Sequence, residues 1–478
     1  MFKSLHRPSL ASSRSGRRSD APNWVRIFKT VKAPCPNPPV LSLDRLRSAN
    51  VLIVGMERSG IGSAELLVRL GAKVTATDLK PVEKLPAGVT FHLQAPEVFK
   101  DHDLIVISPG VPCDLEPLTL ARSQGSAVIG EAELASYFLK GRTIGVTGSN
   151  GKTTTTALVG HVLRESGASV QVGGNIGTAV TALIDSSHDD QWNVLELSSF
   201  QLETISHFRA EIAVCLNVTP DHLDRHHTFQ IYAGAKRRLF ETQTSTDHAV
   251  LNADDETCRS FAAHTPASPF WFSTRAGAAT VREGWITVCD RQLMRLDEIP
   301  IRGMHNVENT LAAVAATKLA GIPLDRIAAS IRTFRAVEHR LEFVRTVSGV
   351  DFYNDSKATN VDATLKALDS FAGGLWVILG GKDKGSDYTV LREPLAAKAT
   401  GVMLIGSAAV KIGEQIAGAA PVRDVGVIDN AVRDAYAQAQ TGETVLLAPA
   451  CASFDQFTGY EHRGRVFKQI VQSLEEKR

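Results

Sequence analysis

The hydrophobic positions of this chain form short apolar runs, and stretches with a helical period follow several of them. The runs at 51–54, 104–107, 212–216 and 375–379 contain no polar residue. Runs of this length are typical of strands buried on both faces in a parallel sheet. The pattern therefore predicts repeated strand–helix–strand units and an α/β fold. With 478 residues, the chain is long enough for about three domains.

We divide the chain at the points where this pattern changes. A basic tail at 1–48 precedes a Rossmann-like N-terminal domain at 49–139, a central P-loop ATPase-like domain at 140–336 and a C-terminal Rossmann-like domain at 337–478. The tail is rich in Arg, Ser and Pro and has no acidic residue before Asp20. Such a composition is typical of a disordered tail or an organelle transit peptide, and an unused upstream start codon is the third interpretation.

A glycine-rich loop carries the clearest chemical signal. Its residues are Gly148, Ser149, Asn150, Gly151, Lys152, Thr153 and Thr154, between an apolar strand and a helical stretch. Backbone N–H groups of such a loop turn toward phosphate oxygens. Lys152 can reach the outer phosphates, and the Thr153 hydroxyl can bind Mg²⁺. The alternative is a turn of small residues before an ordinary helix.

The first domain begins with a strand, a glycine-rich turn, a helix and a second strand ending at Asp78. This order predicts a Rossmann-like βαβ unit. Glu57 occupies the position where the dinucleotide motif requires its second glycine. We therefore expect a domain that contacts phosphate or ribose, and not an NAD site.

Polar side chains gather where the central strands end. Glu196 lies in an apolar run, where a carboxylate is costly unless it is paired or binds a metal. His222 follows another strand, and Lys236 lies on a helix whose basic face could simply be solvated. Asn309 shares a helix face with Asn306, and their amides suit an adenine edge, although Asn306 could instead cap the helix.

The third domain repeats this arrangement, with polar turns after the apolar runs that end near 354, 380 and 448. Because ligands bind at the carboxyl ends of parallel strands, these turns should face the nucleotide loop across a cleft. The residues that supply charge or hydroxyl groups there are Asp355, Lys357, Thr359, Lys384 and Ser453.

Together these motifs resemble the Mur ligase family over about residues 49–470. The loop beginning at Gly148 and the His-Asn-x-x-Asn helix at 305–309 are similar to Mur and folylpolyglutamate ligases generally. The segments 195–203, 354–360 and 450–457 resemble the D-glutamate-adding members. The resemblance implies ATP-dependent amide bond formation between UDP-N-acetylmuramoyl-L-alanine and D-glutamate, through an acyl phosphate, in peptidoglycan precursor synthesis. It also implies two Mg²⁺ sites.

The resemblance implies roles for individual residues. Lys152, Glu196, His222 and Lys236 would be catalytic, and Lys236, carbamylated by CO₂, would bind Mg²⁺ with Thr153, Glu196 and His222. Asn309, Arg340 and Asp355 would bind ATP with the loop residues 148–154. The substrates would contact Arg58, Ser59, Asp78, Lys80, Gly110, Asn175, Lys357, Thr359, Lys384, Ser453 and Tyr460. Glu57 and Leu79 depart from the family pattern beside the diphosphate.

Charge and cysteine content limit the other possibilities. Ten of the 52 basic residues but only two of the 51 acidic ones lie within the first 50 positions, so the rest is mildly acidic and predicts no nucleic-acid partner. The six scattered cysteines argue against a disulfide framework or zinc site and favour a reducing, cytoplasmic location. No apolar run reaches membrane-spanning length, and we expect a monomer. A folylpolyglutamate ligase, and a P-loop switch or transporter ATPase, are the rival interpretations.

Overall fold

The computed structural model describes residues 43–335 and 337–477. Most of the expected tail therefore lies outside the described residues. Three separate sheets follow one another along the described chain, and helices cover their faces. The expected α/β fold with three domains is confirmed.

The first sheet has five parallel strands in the order β3-β2-β1-β4-β5. This is the order of a Rossmann half, in which ligands bind where the order reverses, beyond β1 and β4. The strands are β1 Asn50–Val54, β2 Lys73–Asp78, β3 Val89–Leu93, β4 Leu104–Ile107 and β5 Ala127–Gly130. The helices are α1 Leu43–Leu46, α2 Arg58–Arg69, α3 Glu116–Ser123 and α4 Glu131–Ser136.

The central sheet has nine strands in the order β14-β13-β12-β11-β10-β9-β6-β8-β7. Its strands are β6 Arg142–Thr147, β7 Val170–Gly174, β8 Trp192–Glu196, β9 Ile212–Cys215, β10 His248–Asn252, β11 Ser268–Ser273, β12 Ala279–Arg282, β13 Trp285–Val288 and β14 Arg291–Arg295. The helices are α5 Lys152–Glu165, α6 Ser199–Leu202, α7 Leu223–His226, α8 Phe229–Glu241, α9 Glu256–Phe261, α10 Met304–Leu319 and α11 Leu324–Thr333. Strands β6 to β12 pair in parallel, and β13 and β14 extend the sheet in antiparallel fashion.

The third sheet has six strands in the order β15-β16-β20-β17-β18-β19. Only β15 is antiparallel, and β17 to β20 repeat the Rossmann order. The strands are β15 Glu342–Val347, β16 Val350–Asn354, β17 Leu375–Gly380, β18 Ala399–Ile405, β19 Val422–Gly426 and β20 Thr444–Leu447. The helices are α12 Val361–Asp369, α13 Arg392–Lys398, α14 Ala409–Gln415, α15 Ile428–Gln438 and α16 Tyr460–Gln472.

Two buried glutamates of α4 hold the first domain against the central one. The Glu133 carboxylate, fully buried, accepts backbone N–H bonds from Ser206, His207 and Phe208 at 2.9, 2.7 and 3.0 Å. Glu131 accepts bonds from the backbone and hydroxyl of Thr181 at 2.7 and 2.9 Å. Because a buried carboxyl group that loses its hydrogen bonds costs free energy, these contacts hold the two domains together.

Two further observations concern the cysteines and the apolar character of the helices. Cys215, Cys258, Cys289 and Cys451 are free thiols, whereas Cys113 is disulfide-bonded, which the scattered spacing did not predict. Among the described residues, none of the helices combines the length and the apolar character that crossing a bilayer requires.

The domain junction provides a test. We expect Glu133→Gln to lower the free energy of unfolding by about 1.5–3 kcal/mol, because an amide replaces an acceptor that binds three N–H groups. The melting temperature should fall by roughly 3–10 °C in calorimetry. Glu116→Gln, at an exposed position of the same domain, should change it little. Equal melting temperatures for the two variants would contradict this account of the junction.

Candidate functional site

A polar cavity of about 340 Å³ lies between the central and third domains. The loop residues 149–153 form one wall, together with α10. The opposite wall comes from the third domain, through Arg340, Asp355, Lys357, Thr359 and Tyr460. The structure therefore brings the expected nucleotide-binding residues of both domains to one cavity.

The loop is held in shape by neighbouring backbone. Asn217, just beyond β9, accepts the backbone N–H of Ser149 and that of Asn150, both at 2.9 Å. Gly151 has a φ of 86°, in the left-handed region, and immediately precedes α5. The Lys152 ammonium donates to the carbonyls of Gly148 and Ser149 at 3.0 and 2.9 Å. Lys152 and Thr153, the first residues of α5, line the cavity, so the N-terminus of this helix lies where phosphate binding requires it.

Glu196 ends β8 and is almost fully buried. Its carboxylate accepts the Thr153 hydroxyl at 2.7 Å and the Asn175 amide at 2.9 Å. Burial raises the pKa of Glu196, but the positive charges of Lys357 and Lys152 outweigh this effect. With the two hydrogen bonds, they hold the pKa below its ordinary value. The buried carboxylate is therefore ionised at neutral pH.

Lys236 lies beneath the loop on α8 and is 1% exposed. Its ammonium donates to the Gly148 carbonyl at 2.7 Å and lies 4.5 Å from the centre of the Tyr232 ring. Burial, reinforced by the charge of Lys152, lowers the pKa of Lys236 to about 7. A solvated helix face is thus the wrong interpretation of this residue, and a large share of its amine is neutral near pH 7.

His222 has a left-handed backbone with φ of 52°, lines the cavity and begins the short α7. Burial lowers its pKa, although Asp221 opposes the effect, and Lys384 and Lys152 lower it further. The imidazole is therefore neutral at physiological pH, which is the form that binds metals.

The third domain is closed onto the loop. The Lys357 ammonium donates to the Thr153 hydroxyl at 2.6 Å, and Asn150 hydrogen-bonds Asp362. Burial raises the pKa of Asp355 to about 6 and lowers that of Lys357 to about 8. Charged groups of two domains therefore share one poorly solvated space.

A second cavity of about 600 Å³ lies beyond the carboxyl ends of β1 and β4, against the central domain. Five expected substrate residues line it: Arg58, Ser59, Asp78, Gly110 and Asn175. Arg58 and Asn175 also line the first cavity, so the two spaces adjoin. The Leu79 side chain is 78% exposed and gives this cavity an apolar edge.

The other expected residues differ in position. Asn309 lines the first cavity beside Gly151, Lys236 donates to the Gly148 carbonyl of the loop, and Thr154 is buried in the first turn of α5. Lys80, Lys384 and Ser453 are not among the described residues that line either cavity. Their roles stay predictions.

Sequence reasoning missed several lining residues. The first cavity also includes Asn217, His305, Glu308, Lys366 and Glu461. His305 and Glu308 stand inside the motif at 305–309, and Asn217 directly follows the apolar run at 212–216, so their positions alone could have suggested them. Lys366 and Glu461 lie on polar helix faces, where no sequence motif marks a residue as part of a site.

Comparison with known proteins places this architecture in a family. Models of a Mur ligase MurD-like N-terminal domain, a Mur ligase middle domain and a Mur ligase glutamate ligase domain match residues 49–130, 146–317 and 339–451. The chain belongs to the Mur ligase family.

Two related enzymes and one solved structure show which members of the family this chain resembles. The UDP-N-acetylmuramoylalanine--D-glutamate ligase of Solibacter usitatus (strain Ellin6076) is 62% identical over 440 residues, 91% of this chain and 100% of the relative. The enzyme of the same name from Koribacter versatilis (strain Ellin345) is 50% identical, over 90% of this chain and 99% of its own. The crystal structure of MurF ligase from Thermotoga maritima in complex with ADP has a TM-score of 0.60 at 17% identity. It covers 92% of this chain and 99% of that one, and supports the fold alone.

The loop geometry gives a matched pair of variants. Gly151 and Gly167 both have left-handed backbones, with φ of 86° and 84°. A Cβ at Gly151 would lie 2.1 Å from the Asn309 Oδ1 atom, whereas a Cβ at Gly167 would meet nothing within 4 Å. We expect Gly151→Ala to weaken binding of a non-hydrolysable Mg–ATP analogue by more than about tenfold, as measured by calorimetry, because the loop must shift. Gly167→Ala should carry the same backbone strain but bind the analogue with wild-type affinity. An equal loss of affinity in the two variants would contradict the nucleotide site.

Proposed function

We propose that this chain is an ATP-dependent ligase that joins D-glutamate to UDP-N-acetylmuramoyl-L-alanine in peptidoglycan precursor synthesis. The observation that carries the proposal is the pair of adjoining cavities, one beside a nucleotide loop and one at the Rossmann switch point. A long substrate in the second cavity can place its carboxylate beside Asn175, next to the first. The names of the relatives at 62% and 50% identity support the same reaction.

The reaction has two steps that the residues can promote. The substrate carboxylate attacks the γ-phosphorus of ATP, and ADP leaves with the electron pair of the broken bond. The amine of D-glutamate then attacks the acyl carbon and loses a proton, and inorganic phosphate leaves. Both steps build negative charge on oxygen, so positioned cations should dominate catalysis. Lys152, Lys357 and Arg340 surround the cavity where this charge develops.

Two Mg²⁺ ions are proposed to bind to Thr153, Glu196, His222 and a carbamylated Lys236. The donor set fits, because Glu196 is ionised, the hydroxyl of Thr153 is a hard oxygen ligand and the imidazole of His222 is neutral. Mg²⁺ bound there would neutralise charge on the phosphate oxygens. Two of the proposed ligands, Thr153 and Glu196, already contact each other through a hydrogen bond of 2.7 Å.

We propose that Lys236 is carbamylated, and its buried environment supports this. A neutral amine reacts with CO₂ to give a carbamate and a proton, and the pKa of about 7 leaves neutral amine available. An ammonium at this buried site would repel Mg²⁺, whereas a carbamate would attract it.

We also propose that the enzyme acts in the cytoplasm, where ATP and nucleotide-linked precursors are found, and as a monomer.

The function is tested by phosphate release. Purified protein with Mg–ATP should release phosphate at a sustained rate only when UDP-N-acetylmuramoyl-L-alanine and D-glutamate are both present. L-glutamate, L-lysine and meso-diaminopimelate should support far slower release. Faster turnover with a diamino acid than with D-glutamate would overturn the substrate assignment, and release without any substrate would favour a P-loop ATPase.

The amino-acid site has its own test. Lys384 is proposed to bind a carboxylate of D-glutamate, and Lys382 lies on the same turn with similar exposure. We expect Lys384→Gln to raise the KM for D-glutamate more than about tenfold, since a charge-assisted hydrogen bond is lost. The KM for ATP should stay unchanged, and Lys382→Gln should behave as wild type. The same D-glutamate KM in both variants would remove Lys384 from the site.

The carbamate has a chemical test. We expect Lys236→Ala to lose most activity and to regain part of it with acetate or formate, which can supply the missing carboxylate. Because a lowered pKa leaves the amine neutral above about pH 7 and charged below it, CO₂-depleted wild type should recover with CO₂ faster at pH 8 than at pH 6. Arg237→Ala, the neighbouring position on α8, should keep its activity. Full activity in the Lys236→Ala variant would reject the carbamate.

A further inference from the structure

Arg225 joins the first domain to the central domain beside both cavities. It lies on α7, three residues after His222, and its side chain is 12% exposed. One guanidinium nitrogen donates to the Val111 carbonyl at 2.7 Å, and another donates to the Gly110 carbonyl at 3.4 Å. Both carbonyls belong to the first-domain turn that lines the second cavity.

The same guanidinium is anchored in the central domain. It forms an ion pair with Glu203, whose side chain is 6% exposed. Glu203 directly follows α6, the short helix that leaves the strand ending in Glu196. The guanidinium nitrogen that donates to Val111 also binds Glu203, and the second terminal nitrogen faces Gly110. Arg225 therefore joins a buried carboxylate to two carbonyls of another domain, an arrangement that the planar fork of arginine permits and lysine does not.

Phe200 connects this ion pair to the first cavity. The Arg225 guanidinium lies 5.0 Å from the centre of the Phe200 ring, and the imidazole of His222 packs edge-on against the same ring at 4.8 Å. A displacement of the turn at 110–111 would therefore move the Arg225 side chain. Because Arg225 lies on α7, which directly follows His222, the displacement would also move His222. The exposed contact between His227 and Asp114, at 3.3 Å, is weaker because solvent screens it.

We propose that Arg225 is a positioning residue that couples occupancy of the second cavity to that of the first. A substrate that orders the turn at 110–111 also fixes Arg225, and through Phe200 and α7 it fixes His222 for the nucleotide and its metal. This inference rests on the proposed function, which supplies the two ligands. By linkage, each ligand then raises the affinity of the other by the same factor.

The test measures that factor directly. Titration calorimetry gives the Kd of UDP-N-acetylmuramoyl-L-alanine with and without saturating Mg–AMP-PNP. We expect wild type to bind it at least about fivefold more tightly when the nucleotide analogue is present. In Arg225→Gln the ratio should fall to about one, while the Kd of Mg–AMP-PNP alone changes less than about twofold. Arg237→Gln, which removes the exposed pair with Glu241 on α8, is the matched control and should keep the wild-type ratio.

Two further variants keep the result interpretable. Glu203→Gln should also abolish the coupling, and combining it with Arg225→Gln should add no further loss, since both remove one interaction. If Arg225→Gln does not fold, Arg225→Lys serves in its place and should likewise lose the coupling. Absence of coupling in wild type, or retained coupling in folded Arg225 variants, would overturn the inference. Failure of wild type to bind the UDP-substrate at all would instead reject the proposed function.

Discussion

The buried charge of Glu196 is the constraint on which the site depends. An ionised carboxylate away from water is costly unless charges and hydrogen bonds compensate it. Its partners come from separate places: Thr153 from the loop, Asn175 from the turn beside the second cavity, and the charge of Lys357 from the third domain. Closure of the third domain therefore compensates a charge that the central domain already buries.

The contacts that close the cleft are polar and few compared with a domain core. Lys357 binds Thr153, Asn150 binds Asp362, and Asn360 lies 3.5 Å from Asp221. Such interfaces favour domain motion because water can replace their hydrogen bonds when they open. The junction between the first and central domains differs, since the buried Glu133 accepts three backbone bonds there. This contrast suits an enzyme that admits ATP and D-glutamate at one cleft and holds a long substrate at the other.

Much of this architecture could be predicted from the sequence, because buried parallel strands appear as uninterrupted apolar runs. Strand β2 ends at Asp78 as predicted, and α10 contains the whole motif at 305–309. The antiparallel strands β13 and β14 were missed, since both are short and β14, at the edge of the sheet, is mostly polar. The helix that carries Lys236 begins at Phe229, where the side chain of Thr228 caps it. Residues such as Lys366 could not be predicted, since closure of two domains and not a local motif brings them to the cavity.

The crowding of cations has a consequence for proton balance. Lys357 has a pKa of about 8, lowered mainly by burial and partly by the positive charges of Arg340 and Lys152. A polyphosphate placed beside Lys357 opposes that positive charge and raises the proton affinity of its amine. Nucleotide binding near pH 8 should then draw protons from solution, so its apparent enthalpy should vary with the ionisation enthalpy of the buffer. The enzyme would work as a proton acceptor on binding, before any bond is made or broken.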